Sequence, residues 1–228
     1  MILYEDLRTL SEGVYDPNIF KAFFLAGGPG SGKSYVTSKA FSGEGLRIIN
    51  SDTAFERALQ KAGLSLKMPD SEAEVRDTVR ARAKATTSTM LDLSLQGRLG
   101  IVVDGTGAEY DRISDQKRQL DRLGYDTYMV FVNTSLDVAQ ERNKARSRSV
   151  PADIVKQSWL DVQSNMGLYQ RLFGGSNFVI VDNNKNDKEL TSQTMNFVAK
   201  EVGKFLRRPV SNRIAKSWIN SELERKKR

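Results

Sequence analysis

The chain has 228 residues, a formal net charge of +7, and neither histidine nor cysteine. Those two zeros exclude imidazole bases, histidine metal ligands, thiolate nucleophiles, disulfides and nearly every zinc site, so acid–base work falls to Asp, Glu, Lys or Tyr, and any metal is held by oxygen, as magnesium is. The charge is unevenly placed: residues 204–228 carry nine basic side chains against Glu222 and Glu224, which accounts for the whole excess.

A hydrophobic content of 39% is enough for one core. No run approaches the roughly 18 apolar residues of a membrane helix. The expectation is a cytoplasmic protein with no membrane contact. Residues 1–18 form a leader with Leu3, Leu7 and Leu10 at helical spacing, expected to pack on the core. IFKAFFLA (19–26) reads as a buried strand and 31–41 as the helix after it. A short strand at 46–50 precedes a helix at 53–61 and a long helix at 71–96, for which Ser71 and Glu74 have capping-box spacing. Strand 100–103, helix 110–123, strand 127–132 and helix 135–145 follow. Pro151 opens a helix to 172, then strand 178–181 and helix 188–206. Pro209 breaks the pattern before a last helix, about 211–225, with Ile214, Trp218, Ile219 and Leu223 on a stripe suited to docking. Apolar strands alternating with helices predict an α/β fold: a mainly parallel five-stranded sheet covered on both faces. The predicted core domain is 19–208, with a basic C-terminal helix at 209–228.

Gly27-Gly28-Pro29-Gly30-Ser31-Gly32-Lys33-Ser34, between the first strand and its helix, matches the phosphate-loop pattern in full. Gly28, Gly30, Ser31 and Gly32 let backbone N–H groups wrap phosphates at a helix N-terminus. Lys33 is expected on the β- and γ-phosphates and Ser34 on magnesium. No guanine-reading Asn/Thr-Lys-x-Asp motif follows, so the nucleotide expected is ATP.

Asp52 follows the second strand and Asp104 closes the third, and the carboxyl ends of parallel strands face the ligand crevice. A kinase acting on an alcohol needs a carboxylate to orient the hydroxyl and accept its proton. Asp52 is the first choice, its alternative role being a helix N-cap. Asp104 could hold magnesium through water or bind acceptor. Gly105-Thr106-Gly107 would admit an acceptor to the backbone, with the Thr106 hydroxyl at hand. Between the fourth strand and the next long helix, Arg142 and Arg146 stand one helical turn apart, with Arg148 close behind. Arginines there suit a lid, about 141–151, that neutralises a transferring phosphoryl group.

The order of phosphate loop, strand-end Asp, strand-end Asp-Gly-Thr and arginine lid resembles the polynucleotide kinase and zeta-toxin group of phosphate-loop kinases, including phage-type zeta-toxin-like kinases, over about residues 20–182. The resemblance implies ATP and magnesium on Lys33 and Ser34, Asp52 as general base, and Arg146, with Arg142 or Arg148, on the phosphates. Polynucleotide kinases carry an acceptor-binding arginine three residues after the base. Here Phe55 stands there, and Arg57 is the nearest arginine. Asp104-Gly105-Thr106 is similar to the acceptor element of zeta toxins. The function expected is a kinase of a nucleic-acid hydroxyl, either a 5′ end or a hydroxymethylated base. The alternatives are a kinase of a small nucleotide or nucleotide sugar, and a regulatory ATPase whose basic tail docks on nucleic acid or an acidic partner.

Overall fold

The computed structural model describes residues 13–67, 69–146, 150–184 and 188–227. Five strands, β1 (Lys21–Ala26), β2 (Arg47–Ile49), β3 (Ile101–Asp104), β4 (Asp126–Asn133) and β5 (Phe178–Asp182), form one sheet in the order β2-β3-β1-β4-β5. Every pairing is parallel. The helices are α1 (Lys33–Ala40), α2 (Ser51–Lys61), α3 (Ala73–Gln96), α4 (Tyr110–Arg122), α5 (Leu136–Lys144), α6 (Ala152–Phe173), α7 (Lys188–Arg207) and α8 (Arg213–Lys226).

All six residues of β1 are buried, because alternate side chains feed two cores. Phe24 joins Ile113, Leu120, Val162, Tyr169 and Phe173 on the face under α4 and α6. Phe23 and Leu25 join Val36, Met195, Val198 and Phe205 on the face under α1 and α7. The chain leaves β1 for β2 and β3 on one side, then crosses to β4 and β5 on the other. The carboxyl end of β1 is therefore the switch point where a ligand crevice opens.

The structure revises several sequence expectations. The first strand begins at Lys21, not Ile19, because Phe20 takes a left-handed backbone (φ 57°) and turns its ring edge-on to Tyr125 and Trp218. The capping box of Ser71 and Glu74 does not form. Ser71 lies in a 3₁₀ turn at Asp70–Glu72, and the Glu72 carboxylate instead accepts the Ser65 N–H at 2.9 Å, closing the loop before α3. On α8 the buried contact is Ala215 rather than Ile214, which is exposed.

The tail docks on the core at the amino ends of β1 and β4. Asp126 accepts the N–H and hydroxyl of Ser211 and the N–H of Asn212, as well as the Lys21 ammonium at 3.1 Å. Arg98 lies over the Trp218 ring at 4.3 Å. Arg225 and Lys227 pair with Glu222 and Glu224 of their own helix. Leu3, Leu7 and Leu10 of the leader lie outside the described residues.

Candidate active site

The loop joining β1 to α1 is shaped by contacts that leave no room for side chains. At Gly30 (φ +78°) a Cβ would fall 2.1 Å from the Ala139 carbonyl oxygen, so only glycine fits the left-handed turn against α5. The Gly27 N–H is held by the Thr106 carbonyl at 2.8 Å. The Ser31 carbonyl accepts the Thr134 hydroxyl at 3.1 Å and the Asn183 side-chain amide at 2.7 Å. Thr134 in turn offers its carbonyl to the Trp159 indole N–H at 2.6 Å. Among the described residues Ser31 Oγ is buried without a partner, an orphaned hydroxyl that a phosphate oxygen would satisfy.

Lys33 Nζ donates to the carbonyls of Gly27 and Gly28. Burial pushes its pKa below the ordinary lysine value. Asp104 and Asp52 act in the opposite sense, and Arg146 acts with burial. Lys33, Asp104, Asp52 and Arg146 are thus one electrostatic cluster, although they come from four separate stretches of chain. All four line a single cleft of about 540 Å³ at the carboxyl ends of the strands, together with Gly28, Gly30, Gly32, Ser34, Thr106 and Arg142.

Asn50 links Asp104 to the helix that carries Asp52. Its Oδ1 caps α2 by accepting the Thr53 N–H at 3.0 Å. Its Nδ2 donates to Asp104 Oδ2 at 2.5 Å. Helix capping, the alternative role for Asp52, therefore belongs to Asn50, and Asp52 stands exposed in the first turn of α2, facing the cleft. Burial raises the Asp104 pKa above the ordinary carboxylate value, Lys33 and Asn50 hold it down, and Asp52 adds to the rise. Asn50→Ala removes a bond to the charged form. The acid limb of the kcat/KM profile is expected to move to higher pH, with a loss of about 0.5–2 kcal/mol from the helix cap. Parallel pH–rate profiles and thermal melts check both effects.

On the lid side, Arg142 Nη1 donates to the Asn183 carbonyl at 2.7 Å. Asn183 also holds Ser31, so the lid arginine and the phosphate loop share an anchor. Asn143 exchanges two hydrogen bonds with Val150, at 2.7 and 3.0 Å, fixing the last turn of α5 to the entry of α6. Arg148 lies outside the described residues.

Two candidates for the acceptor side separate. Thr106 lines the cleft, whereas Arg57 is exposed and does not. Phe55 is buried with Leu59 and Ala83, between α2 and α3. Glu56 of α2, Glu109 before α4, and Arg112 and Gln116 of α4 face the cleft instead. Sequence reasoning missed these four and Asn50. The available signal was position: Asn50 stands two residues before the strand-end acid, and α4 is the helix that follows Asp104-Gly105-Thr106-Gly107. The turn feeding α4 is pinned by α6, through the Tyr169 hydroxyl on the Gly107 carbonyl at 2.9 Å and Asn165 Nδ2 on the Ala108 carbonyl at 2.7 Å.

Comparison with known proteins agrees with this geometry. A family profile described as AAA domain (AAA_33) matches residues 23–169, well over half of the chain. The chain belongs to the AAA_33 family. No curated protein sequence matches it. Among solved structures, this AAA_33 member is similar to a candidate kinase from Chloroflexus aurantiacus J-10-fl, with TM-score 0.54 and 15% identity over 82% of this chain and 98% of that one. The AvrRxo1-ORF1:AvrRxo1-ORF2 structure gives 0.53 and 16% over 77% and 63%. The PezAT toxin-antitoxin structure of Streptococcus pneumoniae gives 0.51 and 15% over 88% and 93%. At such identities the likeness is one of fold, the phosphate-loop kinase fold.

Among the described residues no group of three or more acids is clustered to hold a metal ion. The oxygen donors present, the Ser34 hydroxyl and the Asp104 carboxylate in one cleft, suit a magnesium ion that arrives with nucleotide phosphates and keeps most of its ligands as water. No helix of the described residues is long and apolar enough to cross a membrane.

Proposed function

We propose that this AAA_33 protein is an ATP- and magnesium-dependent kinase that transfers the γ-phosphoryl group to a hydroxyl. The observation that carries the reading is the single cleft in which a full phosphate loop, two strand-end carboxylates and two lid arginines converge. The acceptor hydroxyl oxygen forms a bond to the γ-phosphorus as the bond to the β–γ bridging oxygen breaks, leaving ADP. Asp52 orients the hydroxyl and takes its proton. Lys33 holds the β- and γ-oxygens once a nucleotide displaces it from the loop's own carbonyls, and Arg146 and Arg142 spread charge off the transferring group. Magnesium on Ser34 and Asp104 would supply further neutralisation of the phosphates.

For the acceptor, the cleft favours a compact molecule over the nucleic acid implied by the resemblance. Phe55 stands where an acceptor-phosphate arginine is expected, and Arg57 is outside the cleft. The basic tail is anchored at Phe20 and Asp126, the opposite end of six-residue strand β1 from the phosphate loop, about 20 Å away along the strand. The tail still favours a second reading, a kinase of a polynucleotide hydroxyl in which α8 contacts the backbone. Incubation with γ-labelled ATP separates them. Label is expected on small hydroxylated compounds, and exclusive labelling of 5′-hydroxyl oligonucleotides, lost on replacing the exposed Arg213 and Lys216 of α8 with glutamine, would reverse the choice.

A further inference from the structure

The acceptor half of the cleft has a distinctive chemistry. Its floor is apolar: Phe24, Val103 and Ile113 line it, and all three belong to the core face beneath α4. Phe24 and Ile113 are buried, so the apolar surface open among these three is chiefly that of Val103.

Charge on the walls narrows the class. The cations of the phosphate side are Lys33, Arg142 and Arg146. On the acceptor side the walls carry Asp52, Glu56, Asp104 and Glu109, and among the described residues the cleft has Arg112 alone as a cation there. Arg112 makes no ion pair among the described residues. Gln116, one helical turn further on, lines the same wall. One carboxylate or phosphate monoester would find a planar, bidentate donor in Arg112 and an amide donor in Gln116.

We infer that the acceptor is a small hydroxylated compound that carries an anionic group, the anion being read by Arg112. The inference rests on the kinase reading above. Two matched pairs of probes test it: quinate against its methyl ester, and cytidine 3′-monophosphate against cytidine, each offered with γ-labelled ATP to the full chain. The anionic member of at least one pair is expected to be preferred at least tenfold in kcat/KM. Arg112→Gln should bring that ratio near one, chiefly through KM, and Arg112→Lys should restore part of it. Thermal melts of both variants ensure that folded protein is compared. A preference untouched by Arg112→Gln, no preference or a preference for the neutral member in both pairs, or label on none of the four compounds would each overturn the assignment and leave the kinase reading standing. ATP consumed only to free phosphate, whatever the acceptor, would overturn both.

Discussion

Asp52→Asn is expected to lower kcat for phosphoryl transfer by about 10²–10⁴ while leaving ATP affinity within about threefold of wild type. The substitution keeps the size of the side chain and removes its negative charge, and with it the capacity to accept a proton. Helix α2 should survive, because its N-terminal cap is the Asn50 carboxamide and not Asp52. ATP should still bind, because the phosphate loop is held by Thr106, Thr134 and Asn183. A full loss of ATP binding would place Asp52 among the nucleotide ligands. Unchanged turnover would remove it from the chemistry and leave Asp104 as the remaining strand-end acid in the cleft. Nucleotide titration and initial rates on the same preparations give both numbers.

The second large effect lies at the other end of the sheet. Lys21 is 1% exposed and pairs with Asp126, its ammonium also 4.8 Å from the Phe205 ring. Asp126→Ala leaves that cation buried without its carboxylate and cuts three bonds that anchor Ser211 and Asn212. Breaking one side of a buried pair costs about 3–5 kcal/mol, or a fall in Tm of roughly 10 °C for a chain of this size. Lys21→Met combined with Asp126→Ala should recover part of the loss, since no charge is then stranded. The pH dependence has a definite sign. Burial pushes the Asp126 pKa up, but the Ser211 hydroxyl and N–H and the Lys21 ammonium outweigh it and hold the value below the ordinary carboxylate range. Its contribution is therefore complete above the unfolded pKa of about 4 and is lost as pH falls through the lower folded value. The stability gap between wild type and Asp126→Ala should narrow in acid, and melts taken from pH 7 downward test this.

Much of this architecture was legible in the sequence because the relevant signals are local. The apolar runs at 19–26, 100–103, 127–132 and 178–181 mark strands buried on both faces, and the glycine-lysine-serine spacing marks the loop. Asp52 and Asp104 were legible because strand ends in parallel sheets face one crevice. What stayed hidden depends on neighbours distant in sequence. Asn50 looks like an ordinary strand-end residue until Asp104, 54 positions on, is seen to accept its amide. Arg112 and Gln116 belong to a polar helix face, and only the fold shows that face turned toward the cleft. The apolar stripe of the tail helix marks it for docking, and Trp218 and Ile219 of that stripe do pack against the core cluster around Phe20, but nothing local marks Ala215 as the deepest contact. The start of β1 was misplaced by two residues because nothing in the sequence marks the left-handed turn at Phe20.

The central claim is that one cleft binds ATP and passes its γ-phosphoryl group directly to a hydroxyl held against Asp52. A single turnover with γ-labelled ATP, enzyme in excess and a hydroxylated acceptor present tests it most directly. The account predicts that label leaves ATP for the acceptor with a yield near one per site, and that Asp52→Asn retains it as ATP. Label released wholly as inorganic phosphate, at the same rate with and without acceptor, would contradict it.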